Sequence, residues 1–285
     1  MLPGAAELVE TREIVPGQWQ QAWHAPSVVA GARAGQYLHV RSADALGFPF
    51  RRPYPLATAD PASGTLTIQV AAGTRTGDRL RRLRPGDAGD LIGPLGRPFE
   101  VDPRSRHLLL IAEGPSVAGV RMLIDEAIRD ARSVVLLCGA LSSAHVYPSS
   151  LLPDEVEYVV ATADGSLGYQ GPVTDLVREY EAWADQSFAC GTPSMLATVA
   201  GLATGRRQRL GVATLGRKRG GGRPIPAGSA AARRKAFLQV VLDHSIGCAA
   251  GSCQGCVVAG ANGPVRVCRE GPVFAAEELD WGEAS

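Results

Sequence analysis

The chain has 285 residues, of which 45% are hydrophobic, so it is long enough for two or three domains that each bury a core. Its 29 basic and 28 acidic residues nearly cancel, which argues against intrinsic disorder and against nucleic acid as a partner. No stretch approaches the roughly 18 to 20 uncharged apolar residues that span a bilayer, and the first residues lack the basic and apolar parts of an export signal. We therefore expect a cytoplasmic protein with no membrane association.

The first hundred residues are typical of a small β domain. Short β-rich segments such as QYLHVRS and GTLTIQVA are separated by turns that contain glycine and proline, among them VPG, RPGD and GPLG. This spacing predicts an antiparallel barrel, which we place at residues 1–102.

From residue 106 the apolar pattern changes to that of a parallel sheet. HLLLIAEG and SVVLLCGAL are continuous apolar segments, and VAGVRMLIDEAIRDA between them has helical periodicity. A strand VEYVVATAD, a helix GPVTDLVREY, a strand QSFAC and a helix PSMLATVAGLA follow in that order. The alternation predicts a doubly wound α/β domain with a parallel sheet over residues 103–212.

A segment rich in Gly, Pro and Arg, without periodicity, occupies residues 213–235 and indicates a linker or an exposed loop. The remaining segment, residues 236–285, contains four of the six cysteines. In a chain with no export signal, clustered cysteines indicate metal ligands rather than disulfides.

The cysteines have the spacing C-x4-C-x2-C, and a fourth follows the third after eleven intervening residues; they are Cys248, Cys253, Cys256 and Cys268. This is the plant-type spacing of a [2Fe-2S] cluster. The residues between the first three are mostly small, so backbone N–H groups can approach the sulfur atoms closely. A structural zinc site also uses four thiolates and stays open as an alternative, although such sites usually have two C-x2-C pairs and this chain has one. We interpret Cys138 as a core residue.

Five segments distributed over nearly the whole chain carry a resemblance to a known family. They are FRRPYPLAT at 50–58, RLRRLRPGDAGDLIGPLGRPF at 79–99, ATADGSLGYQGPVTDL at 161–176, CGTPSML at 190–196, and the stretch from Cys248 to VCREGPVF at 267–274. With them, the chain resembles the electron-transfer subunits of dihydroorotate dehydrogenase type B, which are ferredoxin reductase-like flavoproteins with a C-terminal [2Fe-2S] cluster.

The resemblance implies that the barrel binds FAD. By position, Arg52 would pair with the FAD pyrophosphate and Tyr54 would pack against the flavin or its ribityl chain. Pro55 stands where the family has a hydroxyl residue that can bond flavin N5, so the environment of N5 differs here. The full set of implied FAD contacts is Arg52, Pro53, Tyr54, Pro55, Gln69, Val70, Ala71, Thr76 and Gly77.

The resemblance also implies an NAD(H) site at the carboxyl ends of the parallel strands, with Gly114, Cys190 and Gly191. The family's glycine-rich loop is altered here, because Glu113 replaces a glycine beside a phosphate. That carboxylate weakens binding unless it turns away. The family's Cys-Gly-Pro has likewise become Cys-Gly-Thr, with Thr192 in the last place.

Taken together, the resemblance implies electron transfer from NADH to FAD to the cluster, and then to the flavin of a catalytic dihydroorotate dehydrogenase subunit in pyrimidine biosynthesis. The complex would be a heterotetramer, and no residue of this chain would act as a catalytic acid, base or nucleophile. Two alternatives stay open at this point. One is a relay subunit of another oxidoreductase complex that no longer binds NAD(H) productively, and the other is a zinc-stabilised adaptor without redox function.

Overall fold

The computed structural model describes residues 4–42, 51–209 and 236–282. Two seven-stranded sheets organise these residues, and a two-stranded hairpin lies near the C-terminal end. The strands of the first sheet are β1 Gly4–Val15, β2 Gln18–His24, β3 Tyr37–Ser42, β4 Arg52–Pro55, β5 Thr58–Asp60, β6 Thr65–Ala71 and β7 Ala88–Leu95. Its helices are α1 Pro26–Val29 and α2 Arg75–Leu80.

The first sheet is an antiparallel barrel, as predicted. Its strand order is β4-β3-β7-β1-β2-β6-β5, so β4 and β5 are the two outer strands. Only Leu56 and Ala57 separate these strands in the chain, and their amides donate to the carbonyls of Gln36 and Thr67. Because this short link connects the two outer strands directly, the sheet must curl to bring its ends together, and it does so round a core that includes Trp23.

The second sheet is the predicted doubly wound one. Its order is β11-β10-β9-β8-β12-β13-β16, and every neighbouring pair is parallel except β13 with β16. Its strands are β8 His107–Glu113, β9 Ser133–Ala140, β10 Glu157–Thr162, β11 Tyr169–Gln170, β12 Gln186–Cys190, β13 Leu238–Val241 and β16 Val273–Ala275. Its helices are α3 Val117–Arg129, α4 Val177–Tyr180 and α5 Pro193–Arg209. The winding direction reverses between β8 and β12, which is where such sheets bind ligands.

Two segments differ from their predicted form. The segment GPVTDLVREY is a 3-10 turn, Val173–Leu176, followed by the single turn of α4, rather than one continuous helix. Strand β13, which lies beyond the predicted boundary at residue 212, pairs with β12 and belongs to the α/β sheet. The proposed linker 213–235 lies outside the described residues, and the domain boundaries stay predictions.

The cysteine segment packs against both larger units. It contains the hairpin strands β14 Val257–Val258 and β15 Val265–Arg266, and the one-turn helix α6 Val267–Glu270. The Arg97 amide of the barrel unit donates to the Gly271 carbonyl at 2.6 Å, and the Arg97 guanidinium pairs with Glu278 at 3.1 Å.

The other 3-10 turns are Gly114–Ser116, Ser143–His145, Ser149–Leu151 and Ala276–Glu278. Within the described ranges, none of the helices combines the length and apolar character needed to cross a membrane.

Candidate functional site

A cavity of about 550 Å³ lies between the barrel and the carboxyl ends of β8, β12 and β13. This is within the range of about 300–1,000 Å³ typical of ligand pockets. It brings together most of the residues that the sequence assigned to FAD and NAD(H). Those that line it are Arg52, Pro53, Tyr54, Pro55, Gln69, Ala71, Thr76 and Cys190.

Four of the predicted contacts do not line this cavity. Strand alternation explains Val70, because Gln69 and Ala71 face the cavity while the Val70 side chain is fully buried in the barrel core. The other three are Gly77, Gly114 and Gly191. These glycines have no side chain to contribute, and they sit beside lining residues in the chain. Their assignment to FAD and NAD(H) stays a prediction.

The barrel wall of the cavity has the polar groups that a flavin nucleotide needs. Arg52 is exposed at its rim, whereas Tyr54 on the same face of β4 is buried. Burial raises the pKa of Tyr54 to about 12, against the opposing effect of the Arg52 charge. The Gln69 amide is buried, and neither its oxygen nor its nitrogen has a hydrogen-bond partner among the described residues, although the Tyr147 hydroxyl lies nearby. A ligand with polar edges would satisfy that amide.

Helix α2 begins at the same wall. Its N-cap is Thr74, whose hydroxyl oxygen accepts a hydrogen bond from the Gly77 amide at 3.0 Å. The Gly77 amide is therefore already engaged within the protein. A Cβ atom on Gly77 would lie 1.9 Å from the Ala71 carbonyl oxygen, so only glycine lets the helix approach β6 this closely.

A carboxylate, Glu113, stands next to the cavity at the position where the family has a glycine. Glu113 ends β8, and its Oε2 accepts hydrogen bonds from the Thr192 hydroxyl at 2.9 Å and from the Thr192 amide at 3.3 Å. The carboxylate is thus held by the residue that follows Cys190 and Gly191 at the carboxyl end of β12.

Cys190 borders the cavity with a neutral thiol. Burial, together with the charge of Asp243, raises its pKa to about 12. Helix α3 approaches the sulfur closely because residue 119 is glycine, where a Cβ would lie 2.6 Å from the Cys190 Sγ atom. Cys138 is fully buried in the sheet, as its interpretation as a core residue requires.

The four clustered cysteines include two pairs of hydrogen-bonded neighbours. The side chains of Cys248 and Cys253 interact directly, and so do those of Cys256 and Cys268, where the Cys268 amide also donates to the Cys256 Sγ at 3.4 Å. In the described parts of the chain, no three His, Cys, Asp or Glu side chains are grouped closely enough to hold a single metal ion. A [2Fe-2S] cluster on four cysteines takes two thiolates at each iron, and two neighbouring pairs of thiols are compatible with that requirement.

The backbone of the cysteine loop also fits a group of negative charge. The amides of Ala250, Gly255 and Cys268 donate to the sulfur atoms of Cys248, Cys253 and Cys256, each at 3.4 Å. Hydrogen bonds from the Cys253 and Ala250 amides lower the pKa of Cys248. Three residues of the loop adopt the left-handed backbone conformation with positive φ, namely Ala249, Gly251 and Gln254.

Several lining residues were not identified from the sequence. Asp243, His244 and Ser245 connect β13 to the cysteine loop and also line the cavity. The apolar segment LQVV shortly before them could have identified these residues. Residues that follow a parallel strand lie at the end of the sheet where ligands bind. His39 also went unnoticed; its Nε2 donates to the Ile246 carbonyl oxygen at 3.1 Å and joins the barrel to the cysteine loop.

Comparison with known proteins agrees with this geometry. Residues 243–280 match the model of a family described as the iron-sulfur cluster binding domain of dihydroorotate dehydrogenase B. The chain is 31% identical to the dihydroorotate dehydrogenase B (NAD(+)) electron transfer subunit of Geobacillus thermodenitrificans, with 86% of each chain covered. It is 27% identical to the subunit of the same name from Shouchella clausii, with 97% of each covered.

Solved structures show the same fold. The chain is similar to an NADH-dependent reduced ferredoxin-NADP oxidoreductase structure, with a TM-score of 0.77, 23% identity, and coverage of 99% of this chain and 91% of the other. It is also similar to the ferredoxin reductase of carbazole 1,9a-dioxygenase, with a TM-score of 0.62, 19% identity, and coverage of 72% and 65%. The second match covers less of this chain.

Proposed function

Because this chain belongs to the family of electron transfer subunits of dihydroorotate dehydrogenase B, we propose that it passes electrons between NAD(H) and a catalytic dihydroorotate dehydrogenase subunit through FAD and a [2Fe-2S] cluster. One observation carries the proposal. A single cavity is lined by the predicted flavin residues of the barrel, by Cys190, and by the residues Asp243–Ser245 that lead into the cysteine loop.

In this proposal, each part of the chain has one task. Residues 1–102 hold FAD and residues 103–212 bind NAD(H). Residues 213–235 are a linker, and residues 236–285 hold the cluster through Cys248, Cys253, Cys256 and Cys268. The partner is a catalytic flavoprotein subunit, and the complex is a cytoplasmic heterotetramer with two subunits of each kind.

The barrel residues supply charge and orientation at the flavin site. When bound, FAD exchanges electron pairs with NAD(H) and single electrons with an iron-sulfur cluster. The Arg52 guanidinium would pair with the pyrophosphate through its rigid donor fork. The Gln69 amide offers one donor and one acceptor group from inside the cavity. Pro55 on the same wall has no N–H or side-chain donor, so it would meet a bound flavin only through its ring and its carbonyl oxygen.

The α/β residues place a neutral thiol and a hydrogen-bonded carboxylate on the nucleotide side. The Cys190 thiol stays protonated at neutral pH because burial and the nearby Asp243 carboxylate raise its pKa. The Glu113 carboxylate accepts hydrogen bonds from the hydroxyl and the amide of Thr192, so it is held at β12. On this ground we favour a chain that still binds NAD(H).

The first test is made on the purified chain without a partner. We expect a yellow-brown protein with FAD, two irons and two sulfides per chain, whose flavin absorbance is bleached when NADH is added under anaerobic conditions. A coloured protein that NADH leaves unchanged would support the relay subunit instead. A colourless protein that contains zinc would support the adaptor and refute the proposal.

The second test addresses the partner. Mixed with the catalytic dihydroorotate dehydrogenase subunit of the same organism, the chain should form a stable complex and couple dihydroorotate oxidation to NAD(+) reduction. The mass of the complex in solution tests the stoichiometry. The Cys253→Ser variant is the control, because it should keep the flavin but lose an exposed thiol ligand of the cluster.

A further inference from the structure

The Tyr37 hydroxyl is buried without a hydrogen-bond partner among the residues that the structure describes. The side chain is 3% exposed, and no donor or acceptor of the described chain reaches its oxygen. A buried hydroxyl that forms no hydrogen bond destabilises the folded protein, and a phenylalanine at this position would avoid that penalty. The presence of tyrosine here is explained if its hydroxyl bonds to a group that is not part of the polypeptide.

Tyr37 lies between the flavin cavity and the cysteine loop. On β3 it stands opposite Pro55 of β4, which lines the cavity. His39, two residues further and on the same face of the strand, donates to the Ile246 carbonyl, two positions before Cys248. The two rings meet edge to face with 5.8 Å between their centroids. The face of β3 that carries both rings is therefore directed at the cysteine loop.

Three of the four clustered cysteines lie close enough to Tyr37 for their charges to act on its hydroxyl. Tyr37 belongs to the buried cluster that includes Cys256 and Cys268. Burial raises the pKa of Tyr37, and the charges of Cys268, Cys256 and Cys248 raise it further, in that order. On another side the ring is closed in by Gly96, where a Cβ would lie 3.0 Å from the Tyr37 Cε1 atom. The ring has little room to direct its hydroxyl elsewhere.

We propose that the Tyr37 hydroxyl donates a hydrogen bond to a sulfur atom of the [2Fe-2S] cluster and thereby raises the reduction potential of that cluster. The inference rests on the proposed function, because it requires the cluster. Reduction adds one negative charge to the cluster, so a donated hydrogen bond stabilises the reduced state more than the oxidised state. Tyr37 is then a positioning and tuning residue that the barrel supplies to a site in another part of the chain.

The test is the Tyr37→Phe variant of the whole protein, with its potentials measured by redox titration monitored by EPR and visible absorption. Loss of the donor should shift the reduction equilibrium of the cluster about three- to tenfold toward the oxidised state, which at 59 mV per tenfold is a decrease of about 30–60 mV. The flavin potential should not change. The Tyr180→Phe variant is the control, because it removes a hydroxyl that donates to Glu157 in the α/β unit.

A second measurement uses the unmodified protein and does not depend on folding of the variant. After exchange into D₂O, ENDOR spectra of the reduced cluster should show a strongly coupled exchangeable proton, and this signal should be missing in Tyr37→Phe. An unchanged cluster potential with an unchanged ENDOR spectrum would overturn the inference. So would a shift confined to the flavin potential, which would assign the hydroxyl to FAD. Absence of any cluster in the unmodified protein would contradict the proposed function instead.

Discussion

At the scale of single residues, the contact between Glu113 and Thr192 joins two departures from the family pattern. Glu113 replaces a glycine and Thr192 replaces a proline. Their side chains bond at 2.9 Å across the ends of β8 and β12. The sequence identified Glu113 as a problem for phosphate binding, but it could not show the solution, because the two residues are 79 positions apart.

We predict that Thr192→Val weakens NADH binding. Valine has the same shape but no hydroxyl, so the Glu113 carboxylate would lose its shorter bond and become free to approach the phosphate loop. Repulsion between charges about 4 Å apart is worth about 1 kcal/mol even in bulk water, so KM for NADH should rise at least roughly fivefold while kcat changes little. Steady-state kinetics of NADH oxidation with an artificial acceptor measures this.

Thr192→Ser retains the hydroxyl and is the matched control, with KM expected to stay at the level of the unmodified protein. The threonine hydroxyl also accepts a bond from the Met195 amide at the start of α5. Thr192→Val should therefore lose about 1 kcal/mol of stability as well. Equal KM values for the two variants would show that the Glu113 carboxylate does not need this hydroxyl.

Gly77 is a second residue with a packing role that the sequence did not indicate. The resemblance implies that it contacts FAD; in the structure its amide bonds to Thr74, and a Cβ would lie 1.9 Å from the Ala71 carbonyl oxygen. We predict that Gly77→Ala displaces α2 from β6, costs about 1–3 kcal/mol of stability and lowers FAD content. The ratio of flavin to protein absorbance after gel filtration is the measurement.

The control for this change is Gly201→Ala, at a helical position where a Cβ meets no atom within 4 Å. It should keep its FAD, and stability should rise by up to about 1 kcal/mol because alanine favours the helix. Full retention of FAD by Gly77→Ala would mean that α2 does not shape the cavity wall.

At the scale of elements, the long periodic segments were predictable and the short ones were not. Strands β8 and β9 and helix α3 match their predicted segments closely, because each has enough apolar residues in one pattern to identify it. The four-residue β13 has no such pattern, and its sheet partner β12 lies far away in the chain. The helix predicted over GPVTDLVREY is broken into two short turns, since local periodicity does not determine how a short segment packs.

Helix α3 also joins the two large units, and this contact should depend on pH. Its Glu126 accepts a hydrogen bond from the Ala34 amide of the barrel at 2.9 Å. Burial raises the pKa of Glu126, and this effect outweighs the opposing bond from Ala34. As pH rises, the unfolded chain therefore loses this proton before the folded protein does, and the free energy of unfolding decreases between the two pKa values.

We predict that Glu126→Gln removes that decrease. Glutamine retains an acceptor oxygen for the Ala34 amide but carries no charge, so the variant should be more stable than the unmodified protein at pH 7 and nearly equal to it at pH 4. Urea unfolding at both values measures the difference. Glu155→Gln, in an exposed turn, is the control for the loss of one negative charge. A Glu126→Gln variant less stable at pH 7 would show that the charge itself holds the two units together.

At the scale of the whole molecule, the site is assembled from regions that no local pattern connects. The cysteine ligands are predicted from spacing alone, and the flavin residues from a resemblance. The approach of the cysteine segment to the barrel depends on β13, which brings Asp243–Ser245 next to the barrel wall. The bond from His39 to Ile246 spans 207 positions and fixes the cysteine loop on the barrel. Such contacts follow from the packing of complete units, which is why the sequence did not reveal them.

This assembly leads to a prediction about removal of the flavin. The cavity that would hold FAD is lined both by Cys190 and by Asp243–Ser245, which lead into the cysteine loop. NAD(H) gives electrons in pairs, whereas a [2Fe-2S] cluster accepts one at a time, so the proposal needs the flavin between them. Protein stripped of FAD, with its cluster intact, should therefore not be reduced by NADH, although dithionite should still reduce the cluster. Adding FAD back should restore reduction by NADH, as followed by the EPR signal of the cluster.

Arg52→Gln should resemble the stripped protein at low FAD and recover at high FAD, because it weakens pyrophosphate binding without altering the cysteine loop. Rapid reduction of the cluster by NADH without FAD would show that electrons reach the cysteine loop by a path that avoids this cavity.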